Sequence, residues 1–109
     1  IYQVRQNDGD HWLSGSLIET DGTARSLDRD DIELSAQRTG RIATGDDETR
    51  ELPMEWRLAL VDRDRGWRIR PLYDEQWMDT SYPYWEGVVL VEDERGERAG
   101  VGYMELTGY

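Results

Sequence analysis

Apolar and polar residues alternate along most of this chain, and that period of two limits what it can fold into. In "MEWRLALV" (54–61), Met54, Trp56, Leu58 and Leu60 fall on one side of a pleat, with Glu55 and Arg57 starting the other. "WRIRPLY" (67–73) sets Trp67, Ile69 and Pro71 against Arg68 and Arg70. "YWEGVVLVE" (84–92) and "AGVGYMELTGY" (99–109) alternate again around the turn at "DERGER". Apolar residues nowhere recur at helical spacing beyond one short turn. The remaining runs, "YQVR" (2–5), "HWLSGSLIE" (11–19), "TARSL" and "IELSAQ" (32–37), are bounded by "NDGD", "TDGT" and "DRDD". Asp-Gly between two alternating runs is a hairpin signal. The stretch 38–53 has glycines and charges but little periodicity, and reads as a long mobile loop. The pattern predicts an all-β chain of about eight sequentially paired strands, an antiparallel up-and-down barrel or sandwich.

With 109 residues the chain suits one domain. Its aromatic bulk comes from five Trp and six Tyr, with no Phe. There is no Cys, which removes disulfides, thiolate nucleophiles and Cys-based zinc sites. No apolar run is long enough to span a bilayer as a helix. The formal net charge is -11, and all 13 basic residues are Arg. A surface this acidic repels nucleic-acid phosphates and anionic membranes, so neither is an expected partner. Two origins fit the composition: a GC-rich genome that favours Arg codons, or a salt-rich habitat in which excess carboxylate keeps a protein soluble.

Two glutamates stand on the runs that look most buried. Glu86 shares its face with Tyr84, Val88 and Leu90; Glu105 shares its face with Val101, Tyr103, Thr107 and Tyr109. Paired through the short turn, the two strands bring both carboxylates to one face within cross-strand reach. One reading is catalytic. A carboxyl in an apolar site is easier to protonate, so one Glu could donate to an alkene while the other orients water. The other is structural, with Arg57, Arg68 or Arg70 turned inward to pair with Glu86 or Glu105. Trp12, Trp56, Trp67 and Trp85 either line a cavity for an apolar ligand or fill the core of a small barrel. His11, the single histidine, sits at a strand start and reads as a rim residue; one His without Cys makes no typical zinc site. "GRIATG" lacks the Lys and helix of a phosphate loop, no Gly-x-Ser-x-Gly elbow surrounds a serine, and "GDDETRE" lacks calcium-loop spacing. No metal or cofactor is expected.

The segments "SGSLIETDGTARSLDRDDIEL", "LPMEWRLAL", "WRIRPL", "YWEGVVLVE" and "GVGYMELTGY" follow one another as in the carotenoid 1,2-hydratase (hydroxyneurosporene synthase) and AttH-like family, which the chain resembles across nearly its whole length. The most specific part is "YWEG" followed by "GYMELTGY". The resemblance implies a lipocalin-like (calycin) barrel, residues 1–109 being the C-terminal half of a longer two-barrel protein, with a further strand pair before Tyr2 that this chain lacks. It implies an apolar isoprenoid- or lipid-like small molecule as ligand, and an extracytoplasmic location. If the domain is an enzyme, it implies either a hydro-lyase adding water to a terminal carotenoid double bond or a secreted hydrolase. Glu86, Glu105, Tyr84 and Tyr103 are the candidate acid/base groups, and Trp12, Trp56, Trp67 and Trp85 the candidate ligand-binding residues. An incomplete barrel exposes two strand edges, so the edge at 2–6 or at 99–106 is expected to be covered by the missing N-terminal barrel or by a second copy in a homodimer.

The charge makes the first prediction. Ordinary screening acts within a Debye length of about 10 Å at 0.1 M salt, so a gain due to screening alone appears below that concentration. Adaptation to salt predicts a melting temperature that keeps rising into molar sodium chloride. A flat melting curve above 0.1 M would leave codon bias as the origin of the composition.

Overall fold

A computed structural model describes residues 1–6, 9–45, 47–63 and 65–109. The described chain forms nine strands: β1 (Tyr2–Arg5), β2 (His11–Ile18), β3 (Ala24–Leu27), β4 (Ile32–Ala43), β5 (Thr49–Leu60), β6 (Arg65–Pro71), β7 (Trp77–Met78), β8 (Tyr84–Asp93) and β9 (Arg98–Leu106). A single 3-10 turn covers Val61–Arg63. All the ladders with a resolved register are antiparallel. The stretch expected as a loop at 38–53 is instead mostly the end of β4 and the start of β5. Its alternation is hidden because polar residues occupy both faces of the hairpin tip: Arg38, Thr39 and Arg41 are followed by Thr49, Arg50 and Glu51. Asp46, inside that stretch, lies outside the described residues, as do Asn7 and Asp8 of the "NDGD" turn and Asp64 of "DRDRG".

The chain divides into two compact units. The first comprises Ile1–Glu33 and Ala59–Arg65. It holds the three-stranded sheet β1-β2-β3. Gln3 pairs with Leu13 and Gly15 with Leu27, so Leu13 and Leu27 share a face, and both are buried. Ile32, Ala59 and Leu60 are the unit's other buried apolar residues. The opposite face of the sheet shows Tyr2, Val4, Trp12 and Ile18. Arg25 ties the chain crossing to the 3-10 turn through Asp31 at 3.6 Å and Asp62 at 3.1 Å, and Arg63 bonds Glu19 at 2.8 Å.

The second unit comprises Leu34–Leu58 and Gly66–Tyr109. Its sheet runs β4-β5-β6-β8, with β7 lying beside β8 ahead of β6 and β9 pairing the other side of β8. This is the up-and-down order expected of the sequence, but the sheet is open: among the described residues no ladder joins β9 to β4. Its core is Ile42, Leu52, Met54, Trp85 and Leu106, flanked by Trp56, Trp77, Met104 and Tyr109. Trp85 is 0% exposed. Its indole N–H donates to the Asp74 carbonyl at 2.6 Å, which removes the cost of burying that donor.

Four turns share one frame. In Gln6–Asp10, Glu19–Thr23, Thr44–Glu48 and Asp93–Glu97 the first residue's N–H donates to the last residue's carbonyl at 2.9 Å. The fourth residue has positive φ in each: Gly9 89°, Gly22 87°, Asp47 61° and Gly96 78°. A left-handed residue here matches the hairpin to the twist of its strands, and glycine takes it without a Cβ clash. Asp93 adds a second lock, its carboxylate accepting from the N–H of Arg95 and of Glu97, both at 2.9 Å.

Because a Cβ at Gly96 meets nothing nearby, Gly96→Ala tests the backbone conformation alone. It should cost about 1 kcal/mol in a denaturant titration. Asp47→Gly, at the one non-glycine position of the set, should be neutral or stabilising.

Candidate functional site

The pleat of β8 decides which side chains can meet a ligand. Trp85, Gly87 and Val89 point to the packed side and are buried, so Tyr84, Glu86 and Val88 take the other. β9 runs opposite in a register that pairs Glu86 with Glu105, Val88 with Tyr103 and Leu90 with Val101. Directly paired residues share a face, so Glu86, Glu105, Tyr84 and Tyr103 are brought together as the alternation required. The face they share is the open one. Glu86 is half-buried and Glu105 exposed, while Val101 is 59% and Tyr103 66% exposed. Leu72, whose N–H donates to the Val88 carbonyl at 2.9 Å, and Met78, paired with Tyr84, add further exposed apolar surface beside them.

Tyr84 and Tyr103 stand beside Glu86 on this face. Both have hydroxyls held above the ordinary tyrosine range, first by desolvation and then by the neighbouring Glu86 carboxylate, with Glu105 adding to the repulsion of a phenolate. They therefore stay neutral phenols at neutral pH. At Gly87 next door a Cβ would run into the Gln76 side-chain amide, which would have to shift. Gln76 is fixed by donating from its side chain to the Tyr73 carbonyl at 2.5 Å, and its own carbonyl accepts from the Glu86 N–H at 3.3 Å. That gives "YWEG" its physical content: indole in the core, carboxylate on the open face, and room for the crossing chain.

The Arg residues considered as partners for these glutamates bond elsewhere. Arg68 reaches Glu55 at 2.5 Å and Arg70 reaches Glu92 at 2.8 Å. Arg38 bonds Glu55 at 2.7 Å and Asp74 at 2.8 Å. Glu55 thus sits between two guanidiniums. Burial pushes its carboxyl up, but the hydrogen bonds from Arg68 and Arg38 outweigh that and leave it below the usual carboxylate range. Asp74, then Glu55, raise Arg38 above its ordinary value. Arg38, Glu55 and Arg68 line a cleft of about 590 Å³ with Arg57, Trp67 and Glu92. The network is not legible in the sequence, because the stretch around Arg38 lacks the alternation that marks a strand.

The four tryptophans are divided between the two units. Trp12 is 52% exposed in the first unit, where its ring meets Tyr2 edge-on at 5.8 Å. Trp56, Trp67 and Trp85 belong to the second unit. Trp56 is half-buried and donates to the Pro53 carbonyl at 2.8 Å, Trp67 lines the charged cleft, and Trp85 is core. His11 is exposed beside a cleft of about 350 Å³, with its backbone N–H bonded to the Asp10 carboxylate at 3.0 Å. Among the described residues, no group of three or more His, Cys, Asp or Glu side chains is placed to hold a metal, and no helix is long and apolar enough to cross a membrane.

Open antiparallel sheets in up-and-down order, with one packed and one exposed face, define an all-β protein of the lipocalin-like kind. The chain belongs to the AttH-like family, whose model matches residues 1–109. The crystal structure of a candidate AttH from Nitrosomonas europaea is similar to it at a TM-score of 0.81 and 32% identity, over 98% of this chain and 33% of that one. The chain therefore spans about a third of the length of that protein. No curated protein matches the chain.

Glu55 gives a test of the charged network. Glu55→Gln should destabilise the fold by about 1–2 kcal/mol at neutral pH, since it weakens hydrogen bonds to two charged partners. A carboxyl lowered on folding stabilises above its unfolded pKa, and that contribution is lost as pH falls through the folded value. The gap between wild type and Glu55→Gln in urea melts should therefore shrink as the pH is taken down through the carboxylate range.

Proposed function

We propose that this chain is a binding module of a longer AttH-like protein, one that holds part of an apolar, isoprenoid- or lipid-like molecule against the open face of β8 and β9. The observation that carries the reading is the juxtaposition on that face of exposed Leu72, Met78, Val88, Val101 and Tyr103 around a few polar groups, the paired Glu86 and Glu105 with the Tyr84 phenol beside them. Apolar surface with a few convergent polar groups is the usual make-up of a small-molecule site. The packed side offers no such room, since Trp85, Ile42, Leu52 and Met54 are all 0% exposed. A face open to solvent covers only one side of a ligand, which is why the module is read as part of a larger site.

A second reading is hydration of a terminal carotenoid double bond, supported by the direct pairing of Glu86 and Glu105. In that chemistry one carboxyl protonates an alkene carbon. The other takes a proton from the water that attacks the resulting carbocation, and the sum is addition of one water with no cofactor. Half-buried Glu86 and solvent-exposed Glu105 would divide these two roles between them.

All-trans-retinol is a suitable neutral polyene probe. Binding should raise its fluorescence, and Val88→Arg or Val101→Arg should weaken it about tenfold or more, roughly 1.4 kcal/mol, with the tryptophan emission of the fold retained. Absence of retinol binding, or binding indifferent to both variants, would overturn the module reading. A product 18 Da heavier from an acyclic carotene, lost in Glu86→Gln, would favour the hydro-lyase.

A further inference from the structure

We infer that β9 is an association strand: its free edge pairs antiparallel with β9 of a second copy of this chain, about a two-fold axis at Gly102. The strand has nine residues and pairs β8 on one side only, among the described residues. Its other edge therefore presents backbone N–H and C=O groups to solvent along a run with no Lys or Pro and no charge between Arg98 and Glu105. The competing edges are defended. β1 is four residues long and ends on Arg5, β3 is four residues long and carries Arg25, and β4 carries Glu33, Arg38 and Arg41.

The choice of a second copy rests on the strand's own complementarity. An axis at Gly102 sets Val101 of one chain opposite Tyr103 of the other, twice over, and these two side chains are among the most exposed apolar groups of the second unit. Aromatic against β-branched is a favourable cross-strand pair. The same register sets Glu105 opposite Ala99, so no carboxylates face each other directly, and brings Gly102 against Gly102, where nothing bulky keeps the backbones apart. Residues opposite each other in an antiparallel pair share a face. Both copies of Val101, Tyr103 and Glu105 then lie on one continuous surface, so the pairing would extend the β8–β9 face across the axis. The argument rests on the edge and its pattern and does not require the ligand reading.

Sedimentation equilibrium of the 109-residue chain should give twice its 12.7 kDa mass, with amide exchange across 99–106 slowing about tenfold or more as concentration rises through the dissociation constant. Val101→Lys should return the mass to that of a folded monomer, as judged by tryptophan emission. Val4→Lys on β1 should leave the dimer intact. A monomer at all concentrations would overturn the inference, whether its β9 amides exchange freely or are protected by a segment of the same chain. So would a dimer that survives Val101→Lys or is lost in Val4→Lys. None of these readouts involves retinol, so failure here leaves the binding proposal standing, and the reverse also holds.

Discussion

The burial of Trp85 sets the arrangement of the second unit. Its indole is closed off from water, hydrogen-bonded to the Asp74 carbonyl, and paired across the sheet with Leu106 on β9 and Trp77 on β7. An indole loses more by exposure than any other side chain here, so this one contact fixes which way the pleat of β8 faces. Once Trp85 points inward, Tyr84 and Glu86 must point outward, and Val88 after them. The register with β9 then puts Glu105 and Tyr103 beside them. The bond to Asp74 also anchors the crossing segment that carries Gln76, whose amide packs over Gly87. The exposed tyrosine–glutamate centre is thus a consequence of a core residue that takes no part in it.

The final hairpin was legible in the sequence because both strands alternate cleanly and the turn between them is short. Which face is buried was harder to see. Tyr84, Val88 and Leu90 on one side of β8 are as apolar as Trp85, Val89 and Val91 on the other, and periodicity cannot rank two apolar faces. That is why Glu86 read as a buried carboxylate, when it stands at the border of the open face. The β4–β5 tip failed for the opposite reason. With Arg38, Thr39, Arg41, Thr49, Arg50 and Glu51 on both faces there is no contrast to detect, and the strand is held by its ladder and by ion pairs that join residues distant in sequence. Arg38 and Asp74 are 36 positions apart.

The acidic composition is distributed by a simple rule. On the β5–β6 side of the sheet, arginines from β4 and β6 converge on Glu55, and Arg70 takes Glu92. An arginine can serve two carboxylates at once through its planar fork, as Arg38 does with Glu55 and Asp74. Thirteen arginines against 24 acids can therefore satisfy the crowded carboxylates and leave the rest to solvent. Several acids do a different job in the turns, where Asp21, Asp28 and Asp93 accept backbone N–H groups. For Asp21 the Thr23 N–H holds its carboxyl below the ordinary value.

Glu86 fits neither of these uses. Its neighbours on the open face are the phenols of Tyr84 and Tyr103, although Arg70 lies on the neighbouring strand, paired with Leu90 four residues along β8. A phenol satisfies a carboxylate without cancelling its charge, whereas a guanidinium would do both. The pairing with Glu105 adds a second negative charge directly across the strand, an arrangement that is unfavourable by itself. A fold that turns Arg68 and Arg70 toward Glu55 and Glu92 leaves Glu86 between two tyrosines at the border of the open face. Structural stability alone gives no reason for that choice, because an arginine or an apolar residue would serve the sheet at least as well. A polar group that orients a bound molecule has to be left available, which is why the binding proposal is attached to this face rather than to the cleft where Arg38 and Arg68 are already paired with Glu55.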